Sequence, residues 1–218
     1  MIEVVGITKS YRTAKGRNFV FKDLNFTIPD GRSVAILGRN GVGKSTLLRL
    51  LGGQDAPDKG YIRSSSSISF PVGLSGGFQG SLTGRQNVKF VARVYGKSQA
   101  ELRGIVSYVE TFAELGKYFD MPVNTYSAGM RGRLAFGLSF AFPFDYYLID
   151  EALSVGDANF RKKAEDEFKK KIGSANMILV THGVGQVKVF CDLVILLGKN
   201  EVKVFDDVDE GIRAYIAA

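Results

Sequence analysis

The segment GRNGVGKST, running from Gly38 to Thr46, constrains this chain more tightly than any other. A glycine, four free positions and then Gly-Lys-Ser/Thr is the pattern of a loop that wraps a phosphate chain, and Gly38, Gly43, Lys44 and Ser45 complete it. The apolar run SVAIL before it reads as a buried strand, and STLLRLLGG after it has helical periodicity. Glycines let successive backbone N–H groups turn inward, and the following helix presents its positive end to an anion. The expected contact set is Gly38, Arg39, Asn40, Gly41, Val42, Gly43, Lys44, Ser45 and Thr46. Lys44 would reach the β- and γ-phosphates, and the Ser45 hydroxyl would ligate Mg²⁺.

Before this loop, IEVVGITKSYR (Ile2 to Arg12) and NFVFKDLNFTIPDG (Asn18 to Gly31) alternate like two strands that pair, the second ending in a Pro-Asp-Gly turn. Tyr11 closes the first strand, where an aromatic ring could stack on a nucleobase. After the loop helix, the flanks Ile62 and Ile68 of a four-serine run resemble a hairpin, and PVGLSGGFQGSLT is a glycine-rich loop of the kind that carries function. From Arg85 to about Phe119 the pattern is helical, with a Ser98–Glu101 capping box. Phe90, Tyr95 and Phe112 read there as core aromatics. Ser127 caps a helix that runs to about Phe142 and stops at Pro143.

The buried run Tyr146 to Ile149 then delivers two carboxylates, Asp150 and Glu151, at the strand edge where open α/β sheets bind ligands. With the phosphate loop they form a two-part hydrolytic site: Asp150 holding Mg²⁺ opposite Ser45, and Glu151 polarising the attacking water as general base. A helix from Ala158 to Ile172 follows, then the strand MILVTHG, which would lie parallel to the Asp150 strand and bring His182 near the γ-phosphate. A short helix, the strand DLVILL and a hairpin-and-helix tail end the chain.

YSAGM (Tyr126 to Met130) before the Asp-Glu strand, SVGD (Ser154 to Asp157) after it, and His182 further on make the chain resemble the nucleotide-binding subunits of ATP-binding cassette (ABC) transporters over nearly all its length. The fold this implies is α/β: a RecA-like P-loop NTPase core from about residues 1–84 and 145–218, with an N-terminal antiparallel β-subdomain and a helical subdomain inserted at about 85–144. YSAGM stands where the family has Leu-Ser-Gly-Gly-Gln, so Ser127 and Gly129 match while Tyr126, Ala128 and Met130 depart. The resemblance implies that Ser127 and Gly129 contact ATP held by a second subunit in a head-to-tail homodimer. It also implies that Gln79 links Mg²⁺ to a membrane permease and that Tyr11 stacks on the base. The finer resemblance, through GGFQGSLTGRQNVKFVARVYG, YSAGMRGRLAFGLSFAF and DEALSVGDANFRKK, is to ATPases of capsular polysaccharide exporters, with O-antigen and teichoic-acid exporters as relatives. It implies an ATPase peripheral to the cytoplasmic face of the inner membrane, working with a permease and further envelope export proteins and never touching the polysaccharide. The alternatives are the ATPase of a related O-antigen or teichoic-acid exporter, or a soluble ABC ATPase acting on DNA or ribosomes; relatives of the soluble kind carry coiled-coil arms or tandem cassettes, and nucleic acid is not an expected partner.

Composition agrees with a globular chain: 45% hydrophobic and 23% charged residues in 218. The net charge of +7 suits an anionic partner, but the densest basic cluster, KKAEDEFKKK, interleaves acids at helical spacing and reads as a solvated helix face. A lone cysteine, Cys191, excludes an intramolecular disulfide and reads as a buried thiol. The N-terminus lacks the pattern of a secretory signal. The apolar uncharged run Leu134 to Phe144 falls short of the ~20 residues needed to span a bilayer.

Overall fold

Apolar runs decide where the main sheet forms. Strands β3 (Val34–Leu37), β5 (Tyr146–Asp150), β6 (Asn176–Val180) and β7 (Leu193–Leu197) are almost wholly buried and run parallel. Unbroken Val/Ile/Leu runs are what strands covered on both faces require. The sheet order is β5-β6-β3-β7-β8, with β8 (Val202–Phe205) returning antiparallel along β7 as the tail hairpin. The computed structural model describes residues 1–14, 16–72, 77–150, 158–172, 175–199 and 201–218, and the chain divides into two compact units.

The first unit takes Met1–Pro71, Phe144–Glu151 and Ile172–Ala218. Besides the parallel sheet it holds a three-stranded antiparallel sheet in which β1 (Ile2–Thr13) lies between β2 (Gly16–Ile28) and β4 (Lys59–Ser64). Helix α1 (Lys44–Leu51) buries Leu47, Leu48, Leu50 and Leu51 in one cluster with Ile2, Ile28, Val34, Ile36, Leu148 and Ile178, which joins both sheets. Each such side chain contributes about 1.5–3 kcal/mol by leaving water. The hairpin expected around the serines does not form. β4 pairs with β1 instead, and Ile68 makes a parallel bridge to Tyr146, because the Ser69 hydroxyl accepts the Leu148 N–H at 2.9 Å and ties this segment to β5. Between β6 and β7 lies the short α6 (Val184–Phe190). Helix α7 (Val208–Ile216), capped by Asp207, lies close on β7: a Cβ on Gly211 would sit 2.5 Å from that of Val194. Cys191 is buried, and burial, with the charge of Asp192, pushes its thiol up to about 12, so it stays protonated and unreactive.

The second unit, Val72–Pro143 with Ala152–Lys171, is helical: α2 (Gly84–Val94), α3 (Gln99–Ala113), α4 (Ala128–Phe140) and α5 (Ala158–Ile172). Reciprocal capping boxes start α2 at Thr83–Gln86 and α3 at Ser98–Glu101. Phe112, Phe136, Phe140 and Phe160 form its aromatic core, with Phe112 meeting Phe140 and Phe160 edge-on at centroid distances of 6.0 and 5.6 Å. Phe112 is thus a core aromatic, but Phe90 is 56% exposed. The buried stripe of α2 is Gly84, Asn87, Val88 and Ala92, and Phe90, two residues past Val88, points away from it. Tyr95 is also partly exposed and leans on Phe142 at 5.1 Å. Among the described residues, no helix is long and apolar enough to cross a membrane.

Candidate active site

The phosphate loop forms as its glycines require. Strand β3 ends at Leu37, and a Cβ on Gly38 would lie 2.5 Å from the Leu197 carbonyl oxygen. Gly43 caps α1 in a left-handed conformation (φ 112°), and no side chain caps the helix, so the first-turn N–H donors are left for an anion. Lys44 is only 9% exposed, and its ammonium donates to the Gly38 and Arg39 carbonyls at 2.7 and 3.2 Å, which folds it back over the loop.

A Cβ at Gly43 would meet Val20 at 2.5 Å and the Phe21 ring at 2.7 Å, in a backbone conformation that L-residues avoid. Gly43→Ala is therefore expected to cost about 1–3 kcal/mol of stability and to weaken nucleotide binding at least about ten-fold by opening the loop. Urea unfolding and titration with a fluorescent nucleotide measure the two effects.

The parallel register brings the remaining groups to the same edge. Asp150 at the end of β5 pairs with Val180 on β6, and Val180 is level with Ile36 on β3, so three neighbouring strands end together. One cavity of about 290 Å³ is consequently lined by Asn40, Gly41, Gly43, Lys44, Ser45, Thr46, Asp150 and His182, with Val20 and Val180. Arg39 and Val42, with Gly38, Asn40 and Gly41, line a neighbouring cavity of about 590 Å³ bounded by the ends of β7 and α7. In the smaller cavity a cation, a hydroxyl, a carboxylate and an imidazole converge beside the uncapped helix end. That set neutralises and orients a polyphosphate, and the Ser45 and Asp150 oxygens are the hard donors a divalent cation takes. Glu151 and Ser154 to Asp157 lie outside the described residues.

Tyr11 is half-buried at the end of β1. Its hydroxyl donates to Asp55 at 2.9 Å, and the Lys9 ammonium sits 5.0 Å from its ring centroid. The Lys9 ammonium, helped by the Tyr11 hydroxyl and the Ala56 N–H, holds the Asp55 carboxyl below its usual range against the opposing effect of burial.

Three of the expected site residues belong to the helical unit. Ser127 caps α4, its Oγ accepting the Met130 N–H at 3.2 Å, and a Cβ on Gly129 would lie 3.9 Å from that oxygen. Both line an open cleft with Met130, Arg133, Glu114 and Tyr118. Tyr126, a departure from the Leu-Ser-Gly-Gly-Gln pattern, is buried (4% exposed), and its hydroxyl donates to the Tyr118 carbonyl. Gln79 has an exposed side chain and a backbone clamped by Asn87: Oδ1 accepts the Gln79 N–H at 2.9 Å and Nδ2 donates to the Gln79 carbonyl at 3.1 Å.

Asn87, 1% exposed, went unrecognised in the sequence, although a polar residue on the buried stripe of an amphipathic helix was its signal. Asn87→Ala strands the Gln79 N–H and should cost about 1–3 kcal/mol, read by chemical unfolding, with accelerated hydrogen exchange at Gln79 to Leu82.

A loop, a carboxylate and a histidine at the ends of adjacent parallel strands define a P-loop nucleotide-binding protein. The family profile described as "ABC transporter" matches residues 21–154, and the chain belongs to that family. It is 56% identical over 217 residues to the polysialic acid transport ATP-binding protein KpsT of Escherichia coli, covering 99% of this chain and 96% of KpsT. It is 42% identical to the capsule polysaccharide export ATP-binding protein CtrD of Neisseria meningitidis serogroup B, over 99% and 98% of the two chains. Among solved structures, the dimeric ATP-binding cassette MJ0796 bound to ADP and Pi superposes with a TM-score of 0.74 at 23% identity, over 93% of this chain and 97% of that one. That likeness shows the ABC ATPase fold.

Proposed function

We propose that this chain is the ATP-hydrolysing subunit of an exporter that moves capsular polysaccharide across the inner membrane. The convergence of Lys44, Ser45, Asp150 and His182 on one cavity carries the ATPase reading, and the full-length likeness to KpsT and CtrD supports the capsular substrate class.

Gly41, Gly43 and the first turn of α1 would hold the phosphate chain through their N–H groups, with Lys44 across the β- and γ-phosphates. Ser45 and Asp150 fit Mg²⁺ by donor type, with Gln79 as a further ligand; the ion would neutralise phosphate charge. Glu151 accepts the proton of the attacking water, and His182 contacts the γ-phosphate. Tyr11 stacks on the base. Ser127 and Gly129 cover the γ-phosphate on a second copy, so two ATP molecules are enclosed by a homodimer.

Closure and reopening of that dimer, passed on through the Gln79 loop, would drive a permease at the cytoplasmic face, with further envelope proteins beyond it. The polysaccharide itself does not meet this chain. Affinity purification from detergent-solubilised membranes tests the reading. A polytopic membrane protein should accompany the tagged chain at moderate salt; retention instead on nucleic acid, released as salt rises, would favour the soluble-ATPase alternative.

A further inference from the structure

His182, the only histidine in the chain, has its Nδ1 2.8 Å from the hydroxyl oxygen of Tyr215, in the last turn of α7. The two rings lie with centroids 6.4 Å apart and a 32° tilt. Helix α7 is itself closely seated: Gly211 meets Val194 of β7 without room for a side chain, and Ile212 is buried at 4%. Tyr215 is therefore presented to His182 by a helix seated on the same sheet that carries the phosphate loop. His182 lines the loop's cavity, whereas Tyr215 lines the neighbouring one.

We propose that Tyr215 is a positioning residue for His182: its hydroxyl donates to Nδ1 and so keeps the proton of the neutral imidazole on Nε2. Phosphate oxygens only accept hydrogen bonds, and a neutral imidazole has one N–H to give. A histidine that serves a γ-phosphate through Nε2 needs its proton there, and a hydroxyl donating to the other nitrogen selects that tautomer. The hydroxyl also fixes the ring's rotation, as an outer partner does for a metal-bound histidine. The assignment rests on His182 acting on the γ-phosphate, and it makes α7 part of the hydrolytic apparatus.

Because there is one histidine, long-range ¹H–¹⁵N correlation spectra of the uniformly ¹⁵N-labelled full chain report its tautomer without ambiguity. At a pH where the ring is neutral, the wild type should show Nδ1 as the bare nitrogen and Nε2 as the protonated one. In Tyr215→Phe, which removes one oxygen, the two ¹⁵N shifts should move toward each other. ATPase kcat should fall about 2- to 10-fold with KM unchanged, the effect of one hydrogen bond that matters after binding. A wild-type spectrum with Nδ1 protonated, or a Tyr215→Phe spectrum identical to wild type, overturns the proposal. Failure of the underlying reading shows differently: His182→Ala would hydrolyse ATP at the parental rate while the wild-type spectrum still showed the Nε2–H form.

Discussion

Lys44→Ala should abolish steady-state ATP hydrolysis, by at least about 100-fold, the scale of losing one charged group from a preorganised anion site. Lys44 is almost fully buried, and its ammonium donates to the Gly38 and Arg39 carbonyls, which hold it over the loop. A polyphosphate in the loop would draw that charge toward its oxygens. Removing it leaves the N–H groups of the loop in place, so binding weakens and turnover is lost. Removal also deprives those two carbonyls of their donor, which adds a stability loss of about 1–3 kcal/mol. Lys44→Arg should not restore activity, because a planar guanidinium with a fixed fork cannot replace a compact ammonium inside a turn this tight. Phosphate-release assays and nucleotide titration separate the two losses. Parental turnover in Lys44→Ala would contradict the assignment of the cavity.

The parts of the site that follow local rules were readable in the residues. A phosphate loop states its own backbone: Gly38 and Gly43 stand where a Cβ would strike Leu197, Val20 or Phe21. Continuous apolar runs marked the parallel strands, and strand ends marked where Asp150 and His182 emerge. The misread elements depended on pairing between distant segments. The strand after α1 joined β1 rather than folding on itself, a choice between two edges that serine-rich sequence does not express. An aromatic on a helix usually reads as core, yet Phe90 is exposed because Val88 and Ala92 set the buried stripe of α2. Asn87 and Tyr215 escaped notice for a related reason. One holds Gln79 from across a loop, and the other meets His182 from the far end of the chain, and only the folded chain brings these pairs together.

Glu151→Gln carries the second large effect and bears on the central claim, that this chain hydrolyses ATP in a site completed by a second copy of itself. A glutamine keeps the size of the side chain and removes its basicity, so proton acceptance from the attacking water is lost, a term of about 10²–10⁴-fold in rate. Binding through the loop, Lys44, Ser45 and Asp150 is untouched. The ATP-bound dimer then forms and no longer resets. The deciding measurement is light scattering of purified Glu151→Gln with and without Mg-ATP, alongside its phosphate release. The account predicts a nucleotide-dependent rise to twice the 23.8 kDa of one chain, with hydrolysis near zero. A mass of one chain at saturating ATP, or hydrolysis at the parental rate, would contradict it.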